Sequence, residues 1–356
     1  GIPDEAYKPL GSADRARLTE ARKRNARERA ASLFRHGFVS QPLAEFAGKM
    51  RQIAAMPEET IAQVRAKRDA YRQAQASPEF QRLQLACDTY TAAFFFPLPS
   101  LLSTPITTAS VHEALSRGVL PDPQLAGDVL VTRTERAFFH WALEFAEVFV
   151  ERENTRAREH ESKRAGEDES TRGREHETQA LPLSSSHSLK NAGFDVILGN
   201  PPFMGGVRIS NTFGENYRHY LGYAYSPFVG QSDLCAAFFR RAFSLLKDGG
   251  ELGMIATNII GQGDTRESGL AIIIAQSGVI HFAKRFVKWQ GAANVEVNLI
   301  GIHKGFSAQK CYLDNQLVLS ISSHLDSSSD IKPALIVRNE GKGFRGQSIG
   351  GEGFIL

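Results

Sequence analysis

The chain has 356 residues, and 42% of them are hydrophobic, so it has enough apolar side chains for a substantial core and room for two or three domains. The 42 basic and 39 acidic residues give a net charge of +3, which permits a nucleic-acid partner without requiring one. The three cysteines lack Cys-x-x-Cys spacing, and no apolar run reaches the roughly 18 residues of a membrane helix. We therefore predict a cytoplasmic protein without a metal site or a membrane partner.

Residues 1–130 are predicted to form a helical region. The segment 14–35 is rich in alanine, arginine, glutamate and lysine, and Leu18 and Leu33 are its few large apolar side chains, as in a mostly solvated helix. Its cations are suited to tracking DNA phosphates, but the interleaved acidic residues favour a solvated face. These cations are Arg15, Arg17, Arg22, Lys23, Arg24, Arg27 and Arg29.

Two proline-containing signals predict further helix starts. Pro57 precedes Glu58 and Glu59, which favour the positive end of a helix dipole, and Ser77-Pro78-Glu79 combines an N-cap, a proline and an acid. Residues 97–130 contain five prolines and are predicted to be loop-rich with one short helix.

An aromatic segment, residues 131–150, is predicted to lead into the sheet. His140 lies within it, and its aromatic neighbours favour a hydrogen-bonded core side chain over a catalytic base. The composition then changes, because 151–191 is crowded first with charged residues and then with serine and proline. A segment with so few aliphatic side chains cannot offset its ordering entropy, so we predict a charged flexible insert.

The clearest chemical signal is the stretch Gly193-Phe-Asp-Val-Ile-Leu-Gly-Asn-Pro-Pro-Phe203. Its short apolar run between glycines is typical of a strand buried on both faces. Pro201 and Pro202 each fix φ and lack an N–H, so they end the strand in a stiff bend. This bend presents the amide of Asn200, the carbonyls of Asn200 and Pro201, and the ring of Phe203. We call these four residues, 200–203, the platform.

Such a platform suits an exocyclic amino group on a planar base. An amide oxygen and a backbone carbonyl that accept its two hydrogens would draw the nitrogen toward sp³ geometry and free its lone pair. A neighbouring aromatic ring would hold the base by stacking, worth about 1–3 kcal/mol, once the base has left the duplex. No charged general base is needed at the start, so the electrophile must be as reactive as a methyl sulfonium.

The sequence Asn200-Pro-Pro-Phe203 after an apolar strand resembles the catalytic motif of S-adenosylmethionine-dependent DNA adenine-N6 methyltransferases. The wider stretch is similar to the large fused type II restriction-modification and phage-defence enzymes. The resemblance implies that Asn200 and the Pro201 carbonyl accept the N6 hydrogens and that Phe203 stacks on the flipped adenine. It further implies S-adenosyl-L-methionine as cofactor, double-stranded DNA with one base flipped as partner, and a possible attached nuclease domain or subunit.

Two regions after the platform offer candidate substrate contacts. Residues 204–230 are rich in glycine and tyrosine and are predicted to be a loop, in which Arg208, Tyr217 and Arg218 suit contacts to bases and phosphates. Such a loop can also simply fold over the sheet edge. Trp289 lies in a turn between two predicted strands, where it either reaches the base or plugs the hairpin.

A methyltransferase of this family needs a glycine-rich cofactor loop, and residues 1–199 contain no Gly-x-Gly. We therefore expect the chain, which begins at Gly1, to be part of a longer enzyme and to bind the cofactor poorly by itself; its cofactor-binding residues stay unassigned. Gly261-x-Gly263 follows a predicted strand, but Arg266 replaces the third glycine, so a nicotinamide-dependent oxidoreductase is poorly supported.

The predicted fold is α/β, a partial Rossmann-like methyltransferase sheet with an N-terminal helical region and the charged flexible insert. The predicted function is site-specific adenine methylation; the alternative is a catalytically silent DNA-binding or specificity module that keeps the scaffold. The predicted divisions are a helical region 1–130, an aromatic segment 131–150, an insert 151–191, a catalytic half 192–305, and the start of a target-recognition region 306–356.

Overall fold

A helical region precedes a six-stranded mixed sheet against which further helices pack. The computed structural model describes residues 1–8, 14–30, 40–96, 104–150, 192–289, 296–306 and 310–330. This architecture confirms the predicted α/β class, a Rossmann-like sheet with an N-terminal helical region. The charged insert predicted at 151–191 lies outside the described residues, as does 331–356 of the predicted target-recognition region.

The predicted helical region and aromatic segment pack together, and below we call both the helical region; their described residues contain eight α-helices. They are α1 Arg15–Ala30, α2 Ser40–Ala54, α3 Ile61–Gln75, α4 Pro78–Ala92, α5 Thr108–Arg117, α6 Pro123–Arg136, α7 Trp141–Glu144 and α8 Ala146–Phe149. One more helix than predicted lies between 97 and 130, because Asp122 caps α6 by accepting a hydrogen bond from the backbone of Gln124.

Capping residues fix the starts of α3 and α4. Thr60 and Gln63 form a reciprocal capping box, with hydrogen bonds of 2.9 and 3.2 Å between each side chain and the other residue's backbone N–H. The start predicted at Pro57 is therefore wrong by one turn, since the box sets the first helical residue after Thr60. α4 begins directly after Ser77, as predicted.

The sheet has the strand order β1-β2-β4-β3-β5-β6. Its strands are β1 Phe194–Gly199, β2 Leu246–Thr257, β3 Gly278–Lys288, β4 Glu296–Lys304, β5 Cys311–Leu313 and β6 Gln316–Val318. β1 pairs in parallel with β2, and β4 runs antiparallel between β2 and β3. The carboxyl ends of β1, β2 and β3 therefore meet at one edge of the sheet, where the platform begins.

β1 lies at the edge of the described sheet, and the prediction that it is buried on both faces is wrong. It pairs only with β2 among the described residues. Ile197 packs against the sheet core, whereas Val196 and Leu198 point to the other face and are 56% and 78% exposed. An apolar run shows that a strand is suited to burial on both faces, but not which neighbours are present to bury it.

We expect Leu198→Lys to leave the free energy of unfolding within about 0.5 kcal/mol of the wild-type value, because the side chain is exposed. The charge should also reduce self-association through the edge of β1 that has no partner strand among the described residues. Urea unfolding and light scattering measure both effects. Leu252→Lys, at a buried position on β2, is the control that should unfold the chain; a loss of several kcal/mol for Leu198→Lys would contradict the exposed edge.

Two helices occupy most of 204–230, so the prediction of a loop is wrong there. These helices are α9 Gly206–Phe213 and α10 Glu215–Ala224. Gly205 and Gly214 occupy their N-cap positions, and Ile209 and Leu221 are the buried apolar residues that anchor them. Their short length left only about two turns of periodicity, too few to separate a helix from a glycine-rich loop in the sequence.

Three more helices cover the sheet: α11 Leu234–Leu245, α12 Gly263–Ser268 and α13 Leu270–Ala275. The segment between β2 and β3 thus contains two helices, because Gly269 adopts a non-helical conformation between α12 and α13. In α11, Phe239 is fully buried against the sheet, and Phe238 is 41% exposed.

The described residues contain no helix that is both long enough and apolar enough to cross a membrane.

Candidate active site at the carboxyl edge of the sheet

The platform lies at the carboxyl end of β1 with its amide side chain accessible. β1 ends at Gly199, and Asn200 is exposed, while Pro201 is buried beneath it and Pro202 is exposed. Phe203 is half-buried and packs against the hydrophobic core of the sheet. The buried Pro201 thus anchors the chain, and the exposed Pro202 turns it outward. This bend leaves the Asn200 amide and the Phe203 ring at the carboxyl edge of the sheet.

The polar atoms of Asn200 are available for a ligand. Within the described ranges, its side chain makes no hydrogen bond to another residue. An exposed amide is satisfied by water and can exchange that water for the amino hydrogens of a base. Phe203 has the complementary character, because a ring packed on a core keeps its orientation while its outer part stays open for stacking.

The start of α11 holds the residue that follows the platform. The backbone N–H of Leu234 donates to the carbonyl of Met204 at 2.8 Å. Asp233 caps α11 by accepting from the N–H of Cys235 at 2.9 Å, and its own N–H donates to the hydroxyl of Thr265 at 3.0 Å. Because these contacts join the platform to α11 and α12, its backbone is fixed on both sides.

Arg218 uses its guanidinium inside the fold. It donates to the carbonyl of Gly206 at 3.1 Å and to that of Gly230, and so joins the first residue of α9 to the loop before α11. This contact clamps the segment that leaves the platform. The structure therefore gives Arg218 a positioning role, and DNA contact by its remaining donors stays a proposal.

Arg240 is a second clamp on this segment that sequence reasoning missed. It donates to the carbonyls of Tyr225, Ser226, Pro227 and Ser268. Its position on α11 gave no signal, because an arginine among apolar residues in a helix is normally read as solvated. Five donors in one planar group explain how a single side chain gathers several carbonyls.

Tyr217 lies partly inside the fold, where it packs against Phe213 with ring centroids 5.0 Å apart. Burial, followed by the charge of Tyr220, raises the pKa of the Tyr217 phenol. Arg208 is exposed on α9, eight residues after Asn200, with its head group open to solvent. Of these two candidates, Arg208 is the exposed one, and its contact with a DNA phosphate stays a prediction.

Trp289 directly follows β3 at the same edge of the sheet as the platform, and it is 42% exposed. β2 and β4 lie between β1 and β3, so three strand spacings of about 4.8 Å separate the two sites by about 14 Å across the sheet. Asn200 and Phe203 therefore lie at the carboxyl end of β1, and Trp289 lies three strands away at the same edge of the sheet.

An aromatic junction connects the helical region to α10, and we define it as Tyr90, Phe94, Phe95, Tyr220 and Tyr223. The ring centroids of Phe94 lie 5.3 and 5.1 Å from those of Tyr220 and Tyr223. Burial raises the pKa of Tyr90, Tyr220 and Tyr223. Tyr220 and Tyr223 of the segment 204–230 therefore pack against the helical region.

His140 belongs to the helical region and pairs with a buried acid. Its Nε2 atom lies 2.7 Å from Oδ1 of Asp88, and the Nε atom of Arg133 lies 3.3 Å from Oδ2 of the same carboxylate. Asp88 is almost fully buried, so the two partners satisfy its charge. This geometry supports the interpretation of His140 as a hydrogen-bonded core side chain.

The Gly-x-Gly after β2 does not form a cofactor cradle. A Cβ atom at Gly261 would lie 3.1 Å from the carbonyl oxygen of His324, so this glycine allows close approach of the protein's own backbone. Gly263 has a φ of +47° at the start of α12, which explains the second glycine. The residues described at this edge therefore do not fit S-adenosylmethionine as its binding loop.

No group of three or more metal-ligating side chains converges in the described ranges, so the structure offers no candidate metal centre there.

Comparison with known proteins gives one family and a set of distant structural neighbours, two of which follow. The family model Eco57I restriction-modification methylase matches residues 79–272. The solved type IIL restriction-modification enzyme MmeI in complex with DNA is 23% identical, with a TM-score of 0.34, over 40% of this chain and 21% of that chain. A Listeria monocytogenes protein assigned to class I S-adenosylmethionine-dependent methyltransferases is 16% identical, with a TM-score of 0.26, over 33% and 34%.

The chain thus spans about a fifth of the first of these structures and about a third of the second. No curated protein matches it in sequence.

Proposed function

Because the chain belongs to the Eco57I restriction-modification methylase family, we propose that it methylates adenine N6 at specific sites in double-stranded DNA. The methyl donor is S-adenosyl-L-methionine, and the setting is a restriction-modification or phage-defence system with a nuclease domain or subunit as partner. The observation that carries this proposal is the platform, where an accessible amide with no hydrogen bond to the described residues is followed by a ring supported by the core.

In this proposal the platform binds and orients the acceptor base. The Asn200 side-chain oxygen and the Pro201 carbonyl accept the two N6 hydrogens, and Phe203 stacks on the extruded adenine. Both acceptors are neutral, so they raise the availability of the nitrogen lone pair without first removing a proton. The rigid bend matters because a misplaced acceptor loses its effect when reacting atoms must meet within about 3–3.5 Å.

Arg208, Tyr217, Arg218 and Trp289 complete the proposed substrate contacts in unequal roles. Arg208 contacts a phosphate beside the platform, and Trp289 borders the base site from the far side of the edge. Arg218 acts by holding the carbonyl of Gly206, and Tyr217 by packing beneath the same segment.

S-adenosylmethionine supplies a methyl group with electrophilic character when bound. Its binding loop is proposed to lie outside the described residues, so tight cofactor binding by the chain alone is not expected. Isothermal calorimetry with S-adenosylmethionine tests this part separately from the platform.

Replacing Phe203 with alanine is expected to weaken the stacking by about 1–3 kcal/mol, a loss of about 5- to 150-fold in DNA methylation efficiency. The assay measures labelled methyl transfer from S-adenosylmethionine to plasmid DNA by the chain joined to a cofactor-binding loop of its family. Phe306→Ala is the matched control, because Phe306 is 95% exposed beyond β4, at the opposite edge. Equal activity in both variants would argue against a stacking role for Phe203.

A further inference from the structure

The structure separates the cations of α1 into paired and unpaired sets. Arg22 and Arg29 pair with Asp4 at 2.8 and 2.5 Å, and Arg24 pairs with Glu28 at 3.3 Å. Arg17 lies over the ring of Phe96, 5.4 Å from its centroid. The remaining three are Arg15, Lys23 and Arg27, all exposed and without an ion pair among the described residues.

These three residues share one ridge of the helix with Thr19. Positions 15, 19, 23 and 27 follow one another at intervals of four, so their side chains stand in a row on one face. The positions beside this row are Ala16, Ala26 and Ala30, whose small side chains leave the helix surface open to close approach. We call Arg15, Lys23 and Arg27 the α1 stripe.

The buried side of α1 fixes the direction of the stripe. Leu18, Ala21 and Asn25 are buried and lie on the opposite side of the helix. The Asn25 amide donates to the carbonyl of Ile2 at 2.8 Å and accepts from the backbone N–H of Thr108 at 2.9 Å. These contacts hold α1 in one rotation, so the stripe faces outward as a preorganised set of charges.

The helix is also connected to the platform through the fold. Arg17 stacks on Phe96, whose carbonyl accepts from the side chain of Asn216 at 3.2 Å. Asn216 lies on α10, and Arg218 of the same helix clamps the start of α9 just after the platform. The stripe therefore belongs to the same packed body as the candidate active site.

We propose that the α1 stripe binds the phosphate backbone of duplex DNA, an inference that takes duplex DNA as the substrate from the proposed function. Arg15 and Arg27 are about 18 Å apart along the helix, a length over which one DNA strand presents several phosphates. Exposed cations on helices are commonly neutralised by acidic residues one turn away. Beside the α1 stripe, the only acidic residue is Glu20, at the edge of the row. The phosphates of DNA are anions that can pair with the three cations of the stripe.

The test is the salt dependence of DNA binding by the 356-residue chain. Binding of a random-sequence duplex is measured by fluorescence anisotropy at several salt concentrations for the wild type and for the triple variant Arg15→Gln, Lys23→Gln and Arg27→Gln. Three lost phosphate contacts should reduce the slope of log K against log salt by about 2.7. The wild type should then lose about 40-fold more affinity than the variant between 50 and 200 mM salt.

The control is a second triple variant with the same change of net charge: Arg65→Gln, Arg72→Gln and Arg117→Gln, all exposed positions of α3 and α5. Its slope should match that of the wild type. Equal slopes for the wild type and the stripe variant, or equal reductions in both triple variants, would overturn the proposal. A reduction seen with heparin and not with the duplex would do the same.

This result is independent of the catalytic claim. Lys23→Gln alone, a surface change that leaves the fold intact, should reduce the slope by about 0.9. The platform variant Asn200→Ala should keep the full wild-type slope. If the wild type shows no methylation but the stripe variants lower the slope, the proposed function fails and the stripe stands. If the wild type methylates DNA, Asn200→Ala abolishes methylation and the stripe variants leave the slope unchanged, the stripe fails and the proposed function stands.

Discussion

Replacing Asn200 with alanine is expected to reduce DNA methylation by about 10²–10³-fold, the range seen when one preorganised polar group is removed from an active site. The stability of the chain should stay within about 0.5 kcal/mol, because the side chain is exposed and makes no hydrogen bond to the described residues. Methyl transfer to plasmid DNA and urea unfolding measure the two quantities, with the chain joined to a cofactor-binding loop of its family.

Asn211→Ala provides the matched control, since Asn211 is another exposed asparagine, on α9 a short distance after the platform. We expect this variant to retain wild-type activity. Unchanged methylation in Asn200→Ala would exclude a catalytic role for the platform amide. No methylation by the wild-type chain joined to the same loop would instead indicate a silent DNA-binding or specificity module. An equal loss in both variants would mean that the effect does not come from the platform amide.

Replacing Phe239 with alanine is expected to lower the free energy of unfolding by about 3–5 kcal/mol. This ring is fully buried between α11 and the sheet, so its loss removes apolar contacts and leaves a cavity. Because the N-terminus of α11 holds the platform through Met204, the variant should also lose activity at temperatures where the wild type is stable. Chemical unfolding followed by circular dichroism measures the change.

The neighbouring residue supplies the control for this experiment. Phe238 is 41% exposed on the same helix, so Phe238→Ala should cost less than about 1 kcal/mol. The two substitutions delete the same atoms one position apart, and only the burial differs. Similar losses in both variants would contradict the orientation of α11 in the structure.

The platform and the strands around it could be predicted because their signals are local. An apolar run, a glycine and two prolines specify a strand followed by a rigid bend without reference to distant residues. The same holds for Ser77, which caps α4 through its own neighbours. These features needed only the sequence within a few positions.

The exposure of β1 could not be predicted, because it depends on which strands lie beside it. Val196 and Leu198 have side chains suited to a central strand, yet they face solvent in the described sheet. Their apolar side chains are suited to burial, but whether they are buried depends on which elements pack beside the strand. Pairing partners far along the chain decide such a case.

The roles of arginines were equally hidden in the sequence. Arg218 was predicted to contact substrate, and the structure shows it clamping Gly206, while Arg240 gave no signal at all. On α1, seven cations looked alike, and only the positions of Asp4 and Glu28 separate the paired ones from the α1 stripe. Long side chains choose partners by tertiary geometry, which no local pattern specifies.

The identity of the methylated base is the sharpest test of the proposal that the platform methylates adenine N6. Plasmid DNA is incubated with labelled S-adenosylmethionine and the chain joined to a cofactor-binding loop, then digested to nucleosides and separated by mass. The proposed adenine-N6 activity predicts that the label appears as N6-methyladenine and disappears in Asn200→Ala. Label on cytosine, or N6-methyladenine that persists in Asn200→Ala, would contradict the account.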